Sequence, residues 1–311
     1  MRKIIAGLLM LMGFFAKAQV YNNEWIDYSK TYYKFRVGKD GACRISGATL
    51  ASVGLGTAQA QHFQLWRNGV QVPIYTSVAS GPMSGSDYIE FWGKMNDGKP
   101  DKELYRDPSF QLNDKWSLIT DSSTYFLTVN PTGPNFRLQP TANNVSGNTL
   151  PAETYFMYTA GIYYKDKVNN GLFYVVGTDH LFSSSFDQGE GWTSVDIGRN
   201  GSITNSLTNL FAASTGPAPT IKTSISGNAY NSRYYKVTLN GDSVLGNPVP
   251  YMNESTDQAT FNLNLLNSGT ASISVFNMTD PCPPSQSCPT DNMVVHKVEI
   301  TYPRRFNFGG A

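Results

Sequence analysis

Residues 21–46 read YNNEWIDYSKTYYKFRVGKDGACRIS and contain two alternating patterns separated by a turn. In the first pattern Lys34 and Arg36 alternate with aromatic and aliphatic residues, so an extended segment would have one charged face and one apolar face. The sequence KDG at residues 39–41 favours a turn, because glycine adopts positive φ freely and aspartate hydrogen-bonds its own backbone. The alternation resumes in the sequence CRIS. The stretch therefore predicts a β-hairpin near the start of an exported domain.

The composition of the whole chain agrees with an all-β protein. Its 311 residues give room for one large or two ordinary domains. Charged residues make up only 15% and aromatic residues 13%, and such a chain rich in Tyr, Phe, Thr, Asn and Gly is typical of sheets joined by turns. The net charge of +1 gives no overall field that would attract nucleic acid or an anionic membrane. We therefore expect no nucleic-acid partner.

Further strands are predicted before residue 130. The segments 63–67 and 70–75 flank Asn68-Gly69, the dipeptide favoured in a two-residue type I′ hairpin turn. Pro73 would place the second of these strands at a sheet edge, because proline cannot donate to a neighbouring strand. Residues 87–93 alternate as a further strand, and residues 117–130 predict two short strands.

The predicted domain boundary lies at residues 131–151, which are rich in Pro, Asn, Gly and Thr and lack periodicity. We therefore divide the mature chain into an amino-terminal β domain at 19–130, a linker or long loop, and a second β region at 152–311. From about residue 220 the spacing of strands and turns predicts an antiparallel β-sandwich. The predicted strands are 220–226, 233–239, 259–265, 271–276 and 293–302. After residue 302 the chain enters a loop, so we expect this sandwich to be truncated at its carboxyl end.

Residues 1–18 have the pattern of a secretory signal peptide. Arg2 and Lys3 precede an apolar run at 4–15, and Ala16-Lys17-Ala18 supplies a small-x-small cleavage site. The apolar run is shorter than the roughly 20 residues that a membrane span needs. We expect export to the periplasm, the cell surface or the medium, with no membrane span after the signal is removed.

Several short motifs occur in a fixed order along the chain. They are Asn23-Glu24-Trp25-Ile26, Tyr33-x-Phe35-x-Val37, Asp40-Gly41-x-x-Arg44-Ile45, Phe63-x-Leu65-x-x-Asn68-Gly69, Asp87-Tyr88-Ile89-Glu90-Phe91-x-Gly93, Asn96-Asp97-Gly98-x-x-Asp101 and Tyr125-Phe126-Leu127-Thr128. In this order the chain resembles the amino-terminal region of PorU-like proteins, the sortases of the type IX secretion system of Bacteroidetes. The resemblance runs from about residue 21 to the end and is densest before residue 130.

That resemblance implies a β scaffold or prodomain followed by more of the sandwich and then a gingipain-type cysteine peptidase domain. Such a peptidase uses a Cys-His pair, whose thiolate attacks a peptide carbonyl. No stretch of this chain matches the catalytic motif, so we assign no catalytic residue. The resemblance implies two kinds of partner. One is the downstream peptidase domain of the same polypeptide, and the other is a type IX secretion client or another surface protein.

The cysteines and histidines have structural interpretations. Cys282 and Cys288 are either joined in a disulfide, which an oxidising compartment permits, or left free by the stiff proline-containing loop between them. Cys43 lies on a predicted strand, and we favour a buried apolar role over a nucleophilic one. His296 alternates within an apolar strand, which favours a buried, hydrogen-bonded core histidine.

Residues 96–101, NDGKPD, leave two interpretations open. Asp97 and Asp101 are spaced as oxygen ligands of a calcium ion could be, but the regular calcium-loop pattern and its distal Glu are missing. The alternative is a polar turn between strands, and we favour it. No other spacing predicts a metal or a cofactor.

Three functions from different classes remain. The first is the non-catalytic scaffold or prodomain of a PorU-like sortase. The second is a free-standing binding module for glycan or protein, with Trp66, Trp92 and Trp192 as the ligand aromatics. The third, the least favoured, is a small hydrolase in its own right.

Overall fold

The computed structural model describes residues 23–142, 144–147, 149–278 and 291–309, and these residues are nearly all β. The all-β prediction is therefore confirmed. The predicted signal peptide and the cysteine pair Cys282 and Cys288 lie outside the described residues. The described part of the chain contains no helix that is both long enough and apolar enough to cross a membrane.

The chain divides into two compact units, and the division differs from the predicted one. The first unit consists of the residues up to Met95 together with Ser122–Asn143, and the second consists of Asn96–Asp121 and Asn144–Ala311. The segment at 96–121 therefore belongs to the second unit, although the sequence placed it in the first domain. It is held there by side chains such as Asn113, which donates hydrogen bonds to the carbonyl oxygens of Tyr164, Trp192 and His296.

The first unit is a small sandwich of two antiparallel sheets. Its strands are β1 (Tyr33–Val37), β2 (Gly41–Ser46), β3 (Phe63–Arg67), β4 (Val70–Val72), β5 (Tyr75–Thr76), β6 (Tyr88–Gly93) and β7 (Ser123–Val129). One sheet has the order β1-β7-β3-β4 and the other the order β2-β6-β5. Their inner faces share one core, in which Phe35 of the first sheet contacts Phe91 of the second at a ring-centroid distance of 5.9 Å. The one α-helix described in this unit, α1 (Gly47–Ser52), follows β2 and buries Leu50 against this core.

The two strands of residues 33–46 form where predicted, but they do not pair with each other. Phe35 of β1 lies opposite Tyr125 of β7, whereas Cys43 of β2 lies opposite Phe91 of β6. The turn at residues 38–40 is a corner that carries the chain from one sheet to the other. The hairpin prediction was wrong because alternation determines which face of a strand is buried and not which strand lies beside it.

The second hairpin prediction is confirmed. Asn68 and Gly69 both have positive φ, 49° and 74°, as a type I′ turn requires. The turn joins β3 to β4, with Leu65 opposite Val72. The short strand β4 ends immediately before Pro73 and is the last strand of its sheet. Residues 117–130, by contrast, form one strand rather than two.

The second unit is built around a larger sandwich. Its strands are β8 (Phe156–Tyr163), β9 (Lys167–Asn170), β10 (Phe173–Val176), β11 (Asp179–Phe182), β12 (Glu190–Thr193), β13 (Ile197–Gly198), β14 (Ser202–Leu207), β15 (Thr220–Gly227), β16 (Arg233–Leu239), β17 (Asp242–Val249), β18 (Glu254–Thr260), β19 (Ala271–Met278) and β20 (Asn292–Arg304). One sheet has the order β13-β20-β15-β18, with β8 also paired to β20, and the other has the order β14-β19-β16-β17. The pairs β9–β12 and β10–β11 form two separate two-stranded sheets. The sandwich thus begins with β8, well before residue 220.

Two strand predictions in this sandwich need correction. The strand predicted at 259–265 is observed as β18, Glu254–Thr260, and is followed by a 3₁₀ turn at Leu263–Leu266. Asn262 starts that turn because its side chain accepts a hydrogen bond from the Asn264 amide. The strand β17 was not predicted; it contains Pro248, which is tolerated there because β17 is the last strand of its sheet.

Candidate functional site

One candidate site in the first unit is a groove lined by aromatic side chains on the outer face of the β1-β7-β3-β4 sheet. It encloses about 490 Å³ and is lined by residues that include Trp25, Tyr32 and Trp66. Trp66 on β3 lies opposite Phe126 on β7, so the two rings are neighbours on the outer face. Trp25 packs against both, with centroid distances of 5.3 Å to Trp66 and 5.4 Å to Phe126. We call this site the aromatic groove.

Polar groups surround the aromatic groove. Lys30 pairs with Asp27 at 3.1 Å, and hydrogen bonds from Ser29 lower the pKa of the Asp27 carboxyl to about 2, so the carboxylate is charged at neutral pH. Gln64 and Asn130 contribute amide groups to the lining. The Trp66 Nε1 atom is buried and has no hydrogen-bond partner within the described residues. Rings, amides and an ion pair in one groove suit a ligand that has both apolar faces and polar groups.

The other two tryptophans named by the sequence lie elsewhere. Trp92 is 59% exposed on the outer face of β6. Trp192 lies in the second unit, where its Nε1 donates to the Ser117 carbonyl oxygen at 2.9 Å. The Lys165 ammonium lies between two indole rings, 4.9 Å from that of Trp116 and 5.2 Å from that of Trp192, and pairs with Asp121. The face of Trp192 is therefore engaged by a neighbouring cation.

Cys43 and His296 pack against the cores of their units, whereas His180 is exposed. Cys43 is half-buried against the core of the first unit. His296 is fully buried in the second unit and bonds the Ser226 hydroxyl through Nε2 at 2.8 Å, which confirms the core-histidine prediction. Burial, helped by the neighbouring Lys297 charge, lowers the pKa of His296 to about 3, so the ring is neutral at physiological pH. His180 lies on β11, and its ring centroid is 5.2 Å from that of Phe173, with the two rings tilted by 54°.

Asp97 and Asp101 both have protein partners. Asp97 is 3.4 Å from the Lys99 ammonium. Asp101 is buried and accepts hydrogen bonds from the Leu118 amide at 2.6 Å and the Ser117 hydroxyl at 3.2 Å. Across the described ranges, no group of three or more His, Cys, Asp or Glu side chains is placed to hold a metal ion. The arrangement fits the polar-turn interpretation, in which Asp101 fixes the segment at 117–118.

We expect Asp101→Ala to lower the free energy of unfolding by about 1–3 kcal/mol, because it leaves the partly buried Leu118 amide without this acceptor. Calcium or EDTA should leave the melting temperature of the wild-type protein unchanged. Calorimetry with and without each additive measures both effects. A rise in melting temperature with calcium that is lost in the Asp101→Ala variant would restore the calcium interpretation.

Sequence reasoning did not assign Trp25 to a site. The residue precedes the first strand, where no periodicity marks its face. The available signal was the cluster of aromatic residues immediately before β1. Trp66 was named, but its partner could not be inferred from spacing.

Comparison with known proteins supports the fold alone. No protein-family model matches the sequence, and no curated protein matches it. Among solved structures, dimeric latent PorU from Porphyromonas gingivalis is similar over 90% of this chain, with a TM-score of 0.54 and 11% identity. This chain spans 25% of that PorU chain.

Two carbohydrate-binding modules also match, both weakly. The CBM36-1 domain of a multidomain xylanase from the hindgut metagenome of Trinervitermes trinervoides has a TM-score of 0.27 and 8% identity over 47% of this chain and 96% of its own. A family 35 carbohydrate-binding module from Clostridium thermocellum has a TM-score of 0.24 and 13% identity over 45% of this chain and 97% of its own. Scores this low do not support a shared fold. The chain therefore has a fold similar to that of one quarter of latent PorU.

Proposed function

We propose that this chain is a non-catalytic β region of a PorU-like cell-surface protein, where it acts as a scaffold or prodomain for a gingipain-type peptidase domain downstream. The observation that carries the proposal is the similarity of fold to latent PorU over 90% of the chain at a TM-score of 0.54. The order of motifs between residues 23 and 128 supports it independently. The proposed location is the periplasm or the cell surface, after removal of the segment at 1–18.

Among the described residues, the positions of Cys43 and His296 are consistent with a non-catalytic role. The Cys43 side chain packs with Val37 in the core of the first unit. His296 belongs to the second unit and is bonded to Ser226. A catalytic thiolate needs an accessible sulfur with a base in hydrogen-bond reach, and neither residue is placed for that role.

The coding sequence beyond residue 311 tests this proposal directly. We expect the reading frame to continue into further sandwich strands and then into a domain with alternating strands and helices that carries a Cys-His pair. The purified chain should not hydrolyse generic peptide substrates. Hydrolysis that persists after alkylation with iodoacetamide would contradict the proposal and favour the hydrolase alternative.

The aromatic groove favours one second function, a binding module for glycan. Aromatic rings stack on the apolar faces of sugars, and the Asp27–Lys30 pair in the lining would supply hydrogen-bonding groups for hydroxyls. Here the ring system around Trp25 and Trp66 would be the binding platform.

For this second function we expect Trp25→Ala to weaken binding by about tenfold or more, the loss typical of an aromatic residue central to a binding site. Affinity electrophoresis in gels containing soluble bacterial or plant polysaccharides measures the binding. Trp92→Ala is the matched control, because it removes an exposed tryptophan outside the groove. If no polysaccharide retards the wild-type protein, or if both variants lose retardation equally, the groove is not a glycan site.

A further inference from the structure

One side of the first sandwich is open. The strand β1 ends one sheet and β2 ends the other, and the corner at residues 38–40 joins them on that side. Within the described chain β1 pairs only with β7 and β2 only with β6. Each strand therefore presents an edge whose outward backbone N–H and C=O groups have no neighbouring strand.

An apolar crevice lies between these two edges. It encloses about 340 Å³, and most of its lining residues are apolar. Leu50 of α1 and Leu127 of β7 are lining residues that are almost completely buried, whereas Val53, at the end of α1, is 45% exposed. The remaining lining residues are Tyr33, Lys34, Phe35, Arg44, Ile45 and Thr49. The crevice is thus an extension of the core that opens to solvent along β1.

The two edges differ in charge. On β1, Lys34 and Arg36 point outward, lie opposite the uncharged residues Phe126 and Thr124, and form no ion pair within the described residues. On β2, Arg44 already donates two hydrogen bonds to the Glu90 carboxylate, so its charge is matched. The edge of β1 therefore has backbone groups with no neighbouring strand and apolar side chains toward the crevice. On its outer side it has two positive side chains that form no ion pair within the described residues.

We propose that this edge binds an extended polypeptide, which adds as a strand beside β1. Alternate side chains of such a strand fall on opposite faces, so apolar residues would enter the crevice while the residues between them lie beside Lys34 and Arg36. Acidic residues at those positions complete cross-strand ion pairs. The partner is a segment in which apolar and acidic residues alternate. This inference rests on the geometry of the first unit and is independent of the function proposed above.

A charge-reversal experiment tests the register and the chemistry together. The probes are a fluorescein-labelled heptapeptide of alternating glutamate and valine and a matched peptide with lysine in place of glutamate. Fluorescence anisotropy is measured with the wild-type protein and with the double variant Lys34→Glu/Arg36→Glu. We expect the wild-type protein to prefer the glutamate peptide by about tenfold, since two attractive pairs replace two repulsive ones, and the double variant to prefer the lysine peptide.

A second variant tests the crevice. Val53→Trp should block it and weaken both peptides without reversing their order, and circular dichroism confirms that each variant is folded. Binding should also slow hydrogen exchange of the β1 amides that face away from β7. Equal binding of the two peptides to the wild-type protein, or a preference that the charge reversal does not change, would overturn the proposal. Binding of dodecanoate in the crevice with no binding of either peptide would also overturn the proposal, and it would identify the crevice as a site for an amphiphile.

Discussion

Replacing Arg233 by methionine is expected to destabilise the second unit by about 3–5 kcal/mol, the loss typical when one partner of a buried ion pair is removed. Arg233 and Asp291 pair at 2.8 Å, and both side chains are fully buried. Methionine keeps much of the side-chain volume but leaves the Asp291 carboxylate buried without its counter-charge. Urea unfolding, followed through NMR signals of residues in β15, measures the free energy of this unit separately.

The Arg233 guanidinium does more than neutralise a carboxylate. Nη1 donates to the Tyr251 carbonyl oxygen at 3.0 Å, and Nη2 donates to that of Asn231 at 3.0 Å. These bonds hold two segments, the one before β16 and the one after β17, against Arg233, the first residue of β16. Gly227 is packed so closely beside the guanidinium that a Cβ atom there would overlap Nη1. We therefore expect Gly227→Ala to destabilise the unit as well, because the arginine would have to move.

The matched control is Lys167→Ala, which removes the partly exposed ion pair with Asp196 in the same unit. Such pairs contribute less than about 1 kcal/mol, so this variant should unfold close to the wild type. The double variant Arg233→Met/Asp291→Leu should recover part of the loss, since it removes the uncompensated charge but still leaves the carbonyl groups unpaired. A loss for Arg233→Met no larger than that of the control would show that the buried pair does not stabilise the unit.

Alternation and turn chemistry predicted individual strands well and their neighbours poorly. Asn68-Gly69 determined its hairpin because a two-residue turn brings its flanking strands together. Residues 39–41 are also turn-forming, yet the flanking strands diverge into two sheets, since the partners Tyr125 and Phe91 are distant in sequence. Local sequence carries no information about such long-range pairing.

The candidate sites likewise depend on contacts between residues that are distant in sequence. Trp66 could be named from the sequence because tryptophan is conspicuous, but the groove also needs Trp25 and Phe126, which only the tertiary fold brings to it. The membership of residues 96–121 in the second unit could not be predicted either, since it depends on hydrogen bonds from Asn113 to carbonyl groups that are distant in sequence. His296 was predictable, because a histidine in an otherwise apolar strand has few fates other than the core.

The buried His296 should make the second unit lose stability as the solution is acidified. Its pKa is about 3 in the folded protein and about 6.5 in an unfolded chain, so between these values the unfolded state binds the extra proton. Stability is then fully present above pH 6.5 and is lost as the pH falls toward 3. The slope approaches about 1.4 kcal/mol per pH unit, which amounts to about 2 kcal/mol between pH 7 and pH 5.

Urea unfolding at a series of pH values, with the wild type, His296→Gln and His180→Gln, isolates this contribution. Glutamine retains an amide that can bond the Ser226 hydroxyl but cannot titrate, so His296→Gln should lower stability at pH 7 while flattening the decline below it. Burial raises the pKa of Glu190 and Glu254, and those carboxyls contribute with the opposite sign, favouring the folded state at low pH. Their contribution is common to all three proteins and cancels in the difference between wild type and variant.

His180→Gln replaces an exposed histidine of the same unit and should keep the wild-type slope. An unchanged slope in His296→Gln would mean that the ring takes up a proton as readily in the folded protein as in the unfolded chain, which contradicts a buried, neutral ring.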